Sequence, residues 1–209
     1  MKIIFASNNK GKINQVKHYL PNFEVLSLKD AGIDIDIPEN EDSFEGNAKL
    51  KAQEIHKLTG EIVLADDSGL CIDIFDGWPG VYTHRFLGDN VSEHQRNEHI
   101  LDKMKNIEGS DRTCRIVCVL ALASNDGTKT FKGEYVSKIA KSEFGDNYFG
   151  FDSIVEFAED NTKTLACLSD DEKLEINARG IALREVKNIL KTNKYSYKKP
   201  HLCGFYYMV

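Results

Sequence analysis

The sequence predicts a mixed α/β fold. Strand and helix patterns alternate from Lys2 to Leu58, and a long antiparallel hairpin follows between Arg112 and Ile139. With 209 residues, 41% of them hydrophobic, the chain is long enough to bury a real core as one large domain. No repeat or low-complexity linker divides it, and residues 1–190 read as that single domain.

Residues 2–6 are an apolar run suited to a buried strand, and Lys12–Leu20 places Ile13, Val16 and Leu20 on one helical face. Phe23–Leu26 suggests a second strand. Ser43 is a fitting N-cap for a helix running to about Leu58 with Ala48, Ala52 and Ile55 turned inward. Ile62–Ala65 and Cys71–Ile74 read as two short strands around a Asp66-Asp67-Ser68-Gly69 turn. Gly77–Gly80 is a loop, and Val91 to Met104 a polar-faced helix. Ser124-Asn125-Asp126-Gly127 joins the hairpin strands Arg112–Ala123 and Thr130–Ile139. Lys141–Tyr148 reads as a loop, Ile154–Phe157 as a short strand and Ala178–Leu190 as the final helix. Residues 191–209 differ in character: Tyr195, Tyr197, Phe205, Tyr206 and Tyr207 flank a Lys198-Lys199-Pro200 break.

A formal charge of −6 excludes a nucleic-acid polymer as the expected partner, because no basic surplus is present to neutralise a phosphate backbone. One nucleotide remains compatible with a local lysine cluster. The five cysteines are odd in number and lack CxxC spacing, so neither a disulfide framework nor a zinc site is indicated. No apolar run approaches the roughly 20 residues that span a bilayer. The N-terminal apolar run is too short for a secretory signal, and the expected location is the cytoplasm.

Two adjacent carboxylates after a buried strand need water, donors or a cation around them. Asp66 and Asp67 therefore read either as an Asx-type turn or as a site for Mg²⁺, which takes one or two carboxylates and completes its shell with water and phosphate oxygens. Ser7-Asn8-Asn9-Lys10-Gly11-Lys12 follows the first strand and opens the first helix. Free backbone N–H groups and two lysines there make either a plain cap or an anion site, although the Walker spacing is absent. Pro38-Glu39-Asn40-Glu41-Asp42 is an acidic loop before the second helix, which carries Asn47, Lys49 and Lys51. Phe149-Gly150-Phe151-Asp152 either packs into the core or sandwiches a planar base and reads its edge. Lys163, Lys173 and Arg179 are further cations, each of which alone reads as surface.

Taken in order, these segments resemble the inosine/xanthosine triphosphate pyrophosphatases. The resemblance is carried by SNNKGK (7–12), PEN and SFEGNAKLKA (38–52), ADDSGL (65–70), PGVYTHRF (79–86), FGFD (149–152), KT (163–164) and EKxxIxxRGxAL (172–183). It implies an elongated α/β fold whose two lobes flank a central nucleotide-binding cleft, in a homodimer. It also implies Mg²⁺-dependent hydrolysis of ITP, dITP and XTP to the monophosphate and pyrophosphate. Under that resemblance Ser7, Asn8, Asn9, Lys10, Gly11 and Lys12 cradle phosphates, together with Ser68. Glu39 and Asp67 hold magnesium, and Asp67 also serves as base. Lys12 and Lys51 neutralise developing charge. Phe149, Gly150, Phe151, Asp152, Lys173 and Arg179 bind sugar and base.

The chain departs from the family pattern near the site. Gln15 stands where an acid is usual, Ala178 where the base-reading histidine is usual, and Ser153 replaces a proline. These differences predict blurred base selectivity. They also keep open a second class of function, a nucleotide-binding relative that acts as a sensor with little catalysis.

Overall fold

The computed structural model describes residues 1–88 and 90–192. The aromatic-rich segment expected beyond Lys191 lies, from residue 193 onward, outside them. Strand β1 (Lys2–Phe5) leads into α1 (Lys10–Tyr19), β2 (Glu24–Ser27), α2 (Phe44–Thr59) and β3 (Val63–Ile72). Then come β4 (Trp78–Pro79), α3 (Glu93–Lys103), the hairpin β5 (Thr113–Ser124) and β6 (Gly127–Lys138), the small pair β7 (Glu156–Phe157) and β8 (Asp160–Thr164), α4 (Asp170–Ile176) and α5 (Ala178–Lys191).

The main sheet runs β2-β1-β3-β5-β6, with β4 added to β3. β1 is parallel to both β2 and β3, whereas β3, β5 and β6 are antiparallel, so the sheet is mixed as expected. Strand periodicity divides its side chains between two faces. Ile3, Phe5, Leu64, Leu120 and Leu122 pack with Ile13, Val16, Ala182 and Val186 under α1 and α5. Ile4, Val63, Ala65, Val119 and Ala121 pack with Ala48, Ala52 and Ile55 under α2. A third cluster around Leu70, Ile72, Ile100, Tyr135, Ile154 and Val155 forms the second lobe beyond β1.

The expected break at the acidic pair is absent. Val63 to Ile72 is one continuous strand, paired residue for residue with β5 from Val63↔Ala123 to Ile72↔Cys114. Local turn propensity loses because side chains from α1, α2 and α5 satisfy both carboxylates in the extended conformation. The expected loop at Gly77–Gly80 contains the short strand β4, and α4 and β8 were not expected at all. One consequence positions the site. β1 pairs with β3 at Val63 and Leu64 and β4 does so at Cys71 and Ile72, which leaves the edge from Asp66 to Leu70 facing no strand.

Candidate active site

That open edge is the floor of a cleft, and strand alternation sends its two carboxylates to opposite faces. Asp66 meets Lys12 from α1, with Nζ 3.1 and 3.3 Å from its two oxygens, and Arg179 from α5, with Nη2 at 2.9 Å. It is 1% exposed. Burial opposes its ionisation, but Lys12, Arg179 and Lys51 overcome it and hold the carboxyl well below the usual carboxylate range.

Asp67 points to the α2 side. Asn47 Nδ2 donates to it at 2.9 Å and the Ser68 amide at 3.0 Å, but among the described residues no cation pairs with it directly. Burial dominates here, aided by the neighbouring Glu39 and Asp66 charges against Lys51 and Asn47, and the pKa is pushed up to about 6. Two adjacent acids thus have opposite character: one is a fixed anion, the other a proton acceptor tuned close to neutrality.

Lys51, near the middle of α2, makes a 2.5 Å contact with Glu39. Burial disfavours its charge, yet Asp66, Glu39 and Asp67 outweigh that and raise its pKa. The Glu39 carboxyl is likewise lowered against burial by Lys51 and Lys12. Asn9 caps α1 by accepting from the Lys12 amide, and Ser7 Oγ accepts from the Asn9 amide. Asn8 Oδ1 fixes Lys29 N–H of the neighbouring loop. These short polar side chains therefore shape the loop. The helix N-terminus behind it favours an anion. Gly11 sits where a Cβ would lie 2.6 Å from the Phe149 ring, so a glycine is what lets α1 approach the FGFD loop.

The cleft has two compartments. Ser7, Asn8, Lys12, Glu39, Lys51 and Asp66 line the outer one, of about 440 Å³. Ser68, Phe149, Gly150, Phe151, Asp152, Ala178 and Arg179 help to line the inner one, of about 100 Å³. Two predicted residues take different positions. Lys10 is exposed on the first turn of α1. Lys173 is 4% exposed and supports the inner compartment from behind, donating to Asp152 at 3.0 Å and to the Asn147 carbonyl at 2.7 Å. Despite that lysine, burial raises the Asp152 pKa. Lys163 pairs with Asp160 at the surface, and Lys49 with Glu45.

Three residues outside the expected site set contribute: Asn47 and Gln15, which sequence reasoning named without these roles, and Glu93, which it did not. Asn47 holds Asp67. Glu93 accepts from the Gly150 amide at 3.0 Å and braces the FGFD loop from α3. Gln15 Oε1 accepts from Arg179 Nη1 at 2.6 Å, so a neutral amide occupies that position beside the guanidinium. A carboxamide at helical spacing from Lys12 was the available signal for Gln15; nothing local marked Glu93.

A mixed sheet with an open strand edge, a polar helix N-terminus and an acid–lysine cluster defines the class of α/β proteins with a charged cleft between two lobes. Within it the chain belongs to the Ham1 family, whose model matches residues 3–189. Similar relatives include the dITP/XTP pyrophosphatase of Clostridium perfringens, 38% identical over 199 residues that cover 91% of this chain and 97% of that one. The dITP/XTP pyrophosphatase of Bacillus subtilis is 37% identical, covering 90% and 96%. The solved Ham1 protein of Staphylococcus aureus superposes with a TM-score of 0.83 at 36% identity, covering 93% of this chain and all of that one.

Proposed function

We propose that this protein hydrolyses non-standard purine nucleoside triphosphates, ITP, dITP and XTP, to the monophosphate and pyrophosphate. The observation that carries the reading is the buried Asp67 with its raised pKa, set beside a lysine-lined outer compartment and an aromatic inner one. The names of the relatives supply the substrate class.

In this reading the inner compartment takes the base, with Phe149 and Phe151 flanking it and Arg179 and Asp152 at its polar edge. The phosphate tail extends over the α1 N-terminus toward Lys12 and Lys51. Asp67 accepts a proton from a water molecule as the water oxygen bonds to the α-phosphorus; the bond from the α-phosphorus to the α–β bridging oxygen breaks, and pyrophosphate leaves with that oxygen. Displacement of this kind asks for positioning and charge neutralisation rather than covalent help from the protein.

A divalent cation fits the donor set. Burial, with the Glu39 and Asp66 charges adding to it, raises Asp67, and a nearby positive charge would offset both. Among the described residues no cluster of three or more His, Cys, Asp or Glu side chains could hold a metal ion, so an ion here would draw the rest of its shell from water and phosphate. Glu39 and Asp67 would hold Mg²⁺, which supplies Lewis-acid charge and orientation to the phosphate tail. Homodimerisation rests on the family resemblance and a cytoplasmic location on the sequence reading; among the described residues no helix is long and apolar enough to cross a membrane.

The test is pyrophosphate release from ITP, XTP, dITP, GTP and ATP with Mg²⁺ and with excess EDTA. Release from the first three that stops in EDTA is the expected result. A protein that binds these nucleotides and releases nothing is a sensor, not an enzyme.

A further inference from the structure

Among the described residues, only Lys12 and His84 line both compartments of the cleft. Cleavage to a monophosphate and pyrophosphate breaks the bond between the α- and β-phosphoryl groups. The α-phosphoryl group therefore has to sit at the junction, with base and sugar on one side and the remaining phosphates on the other.

The loop carrying His84 is fixed on both sides. Thr83 Oγ1 accepts from the Leu70 amide on the open edge of β3 at 3.1 Å and donates to the Gly80 carbonyl at 2.6 Å. Gly69 permits this docking, since a Cβ there would stand 2.4 Å from Thr83 Oγ1 and 2.5 Å from the Gly80 oxygen. From α3, Arg96 Nη2 donates to the His84 carbonyl at 2.8 Å and to the Gly88 carbonyl at 2.9 Å, while Nη1 reaches the Val91 carbonyl at 2.7 Å. The backbone is pinned on two sides, to β3 and to α3. The imidazole is not: neither ring nitrogen has a hydrogen-bond or ion-pair partner among the described residues.

The other cations of the cleft are engaged to different degrees, and Arg85 of the outer compartment lies over the Tyr82 ring. Lys12 is bound to Asp66, Lys51 to Glu39, and Arg179 to Asp66, Ser68 and Gln15. His84 faces solvent in part. Desolvation by the cleft walls and the charges of Lys12 and Arg96 still lower its pKa, so its ring is neutral at pH 7 with one N–H to give.

We propose that His84 is a further substrate-contacting residue that donates its ring N–H to a non-bridging oxygen of the α-phosphoryl group, beside the Lys12 ammonium. The proposal rests on the pyrophosphatase reading above. A neutral donor suits that position. It adds a hydrogen bond to an oxygen that carries charge in the transition state without another fixed cation beside Lys12.

The test uses the full-length protein and its His84→Ala and His84→Gln variants. It measures kcat/KM for ITP with Mg²⁺ and the binding of inosine monophosphate and of inosine. His84→Ala is expected to lower kcat/KM by about 10- to 100-fold and to weaken inosine monophosphate by at least about 10-fold, as befits a lost hydrogen bond to a charged group. Inosine, which has no phosphate, should bind as before, and His84→Gln should recover most of the loss through its amide N–H. A His84→Ala protein within about twofold of wild type in both measurements overturns the proposal, as does an equal loss for inosine and its monophosphate. A wild type that binds the monophosphate but releases no pyrophosphate refutes the pyrophosphatase reading, and the contrast between the two ligands then still decides the contact.

Discussion

Replacing Asp67 by Asn should make the metal-free protein more stable while removing its activity. Asp67 is 2% exposed, and its pKa moves from 3.8 to about 6 on folding. An acid whose folded pKa is raised binds more protons folded than unfolded between those two values, so its contribution to stability falls as pH rises from about 4 to about 6. Above that window the folded state carries a constant penalty. At about 1.4 kcal/mol per pKa unit it amounts to about 3 kcal/mol. The amide removes the charge and keeps an acceptor for Asn47, but it turns its own NH₂ toward the Ser68 amide, a mismatch of about 1 kcal/mol. The net gain is about 2 kcal/mol at pH 7.5, equivalent to a rise of roughly 4–8 °C in Tm for a chain of this size. Urea and thermal unfolding in EDTA, compared at pH 7.5 and pH 4, measure it; the gain should disappear at the lower pH. Pyrophosphate release should drop more than about tenfold, a barrier increase above about 1.4 kcal/mol. A variant less stable than wild type at pH 7.5, or equally stabilised at both pH values, refutes the electrostatic account of this residue.

The neighbouring carboxylate should respond with the opposite sign. Asp66→Asn leaves the buried Lys12 and Arg179 without their counter-charge, and urea unfolding at pH 7.5 should show a loss of about 3–5 kcal/mol. A loss below about 1 kcal/mol would mean that the pairs contribute little. Lys173→Met strands the buried Asp152 carboxyl and should also cost about 3 kcal/mol, read in the same assay. Gly11→Ala forces a methyl against the Phe149 ring, so KM for ITP should rise about tenfold or more while stability changes little, because alanine favours the helix. An unchanged KM would show that the ring does not bind the base.

Much of the fold was legible because its elements carry their own periodicity. The hairpin, α2 with its Ser43 cap and the alternation before it all emerge within three residues of the expected bounds. The acidic strand was not legible. Asp-Asp-Ser-Gly favours a turn locally, and contacts from residues 20, 54 and 113 positions away, together with the β5 ladder, hold it extended. β8, Asp-Asn-Thr-Lys-Thr, has no apolar alternation to betray it. α4 is different: Ser169 and Glu172 form a capping box whose Ser-x-x-Glu spacing stands in the sequence. At the site, Lys12, Glu39 and Lys51 all line the outer compartment, whereas Asp67 lines neither compartment. Sequence order alone gave no depth, so Lys173 was expected among the ligand-facing groups although it stands behind them.

The pairing of Asp66 with Lys12 and Arg179 also bears on how the protein is born. Lys12 and Asp66 leave the ribosome early, but Arg179 is 113 residues further on. At roughly 5–20 residues per second the growing chain waits about 6 to 23 s for it. Through that interval the central acid has one of its two direct cationic partners and the inner compartment lacks a wall. A chain interrupted before α5 holds every lysine and carboxylate of the outer compartment and still lacks the guanidinium that closes the inner one. Helix α5 is therefore a seal of completeness, and a product truncated before it carries its own defect at the place where nucleotides would bind.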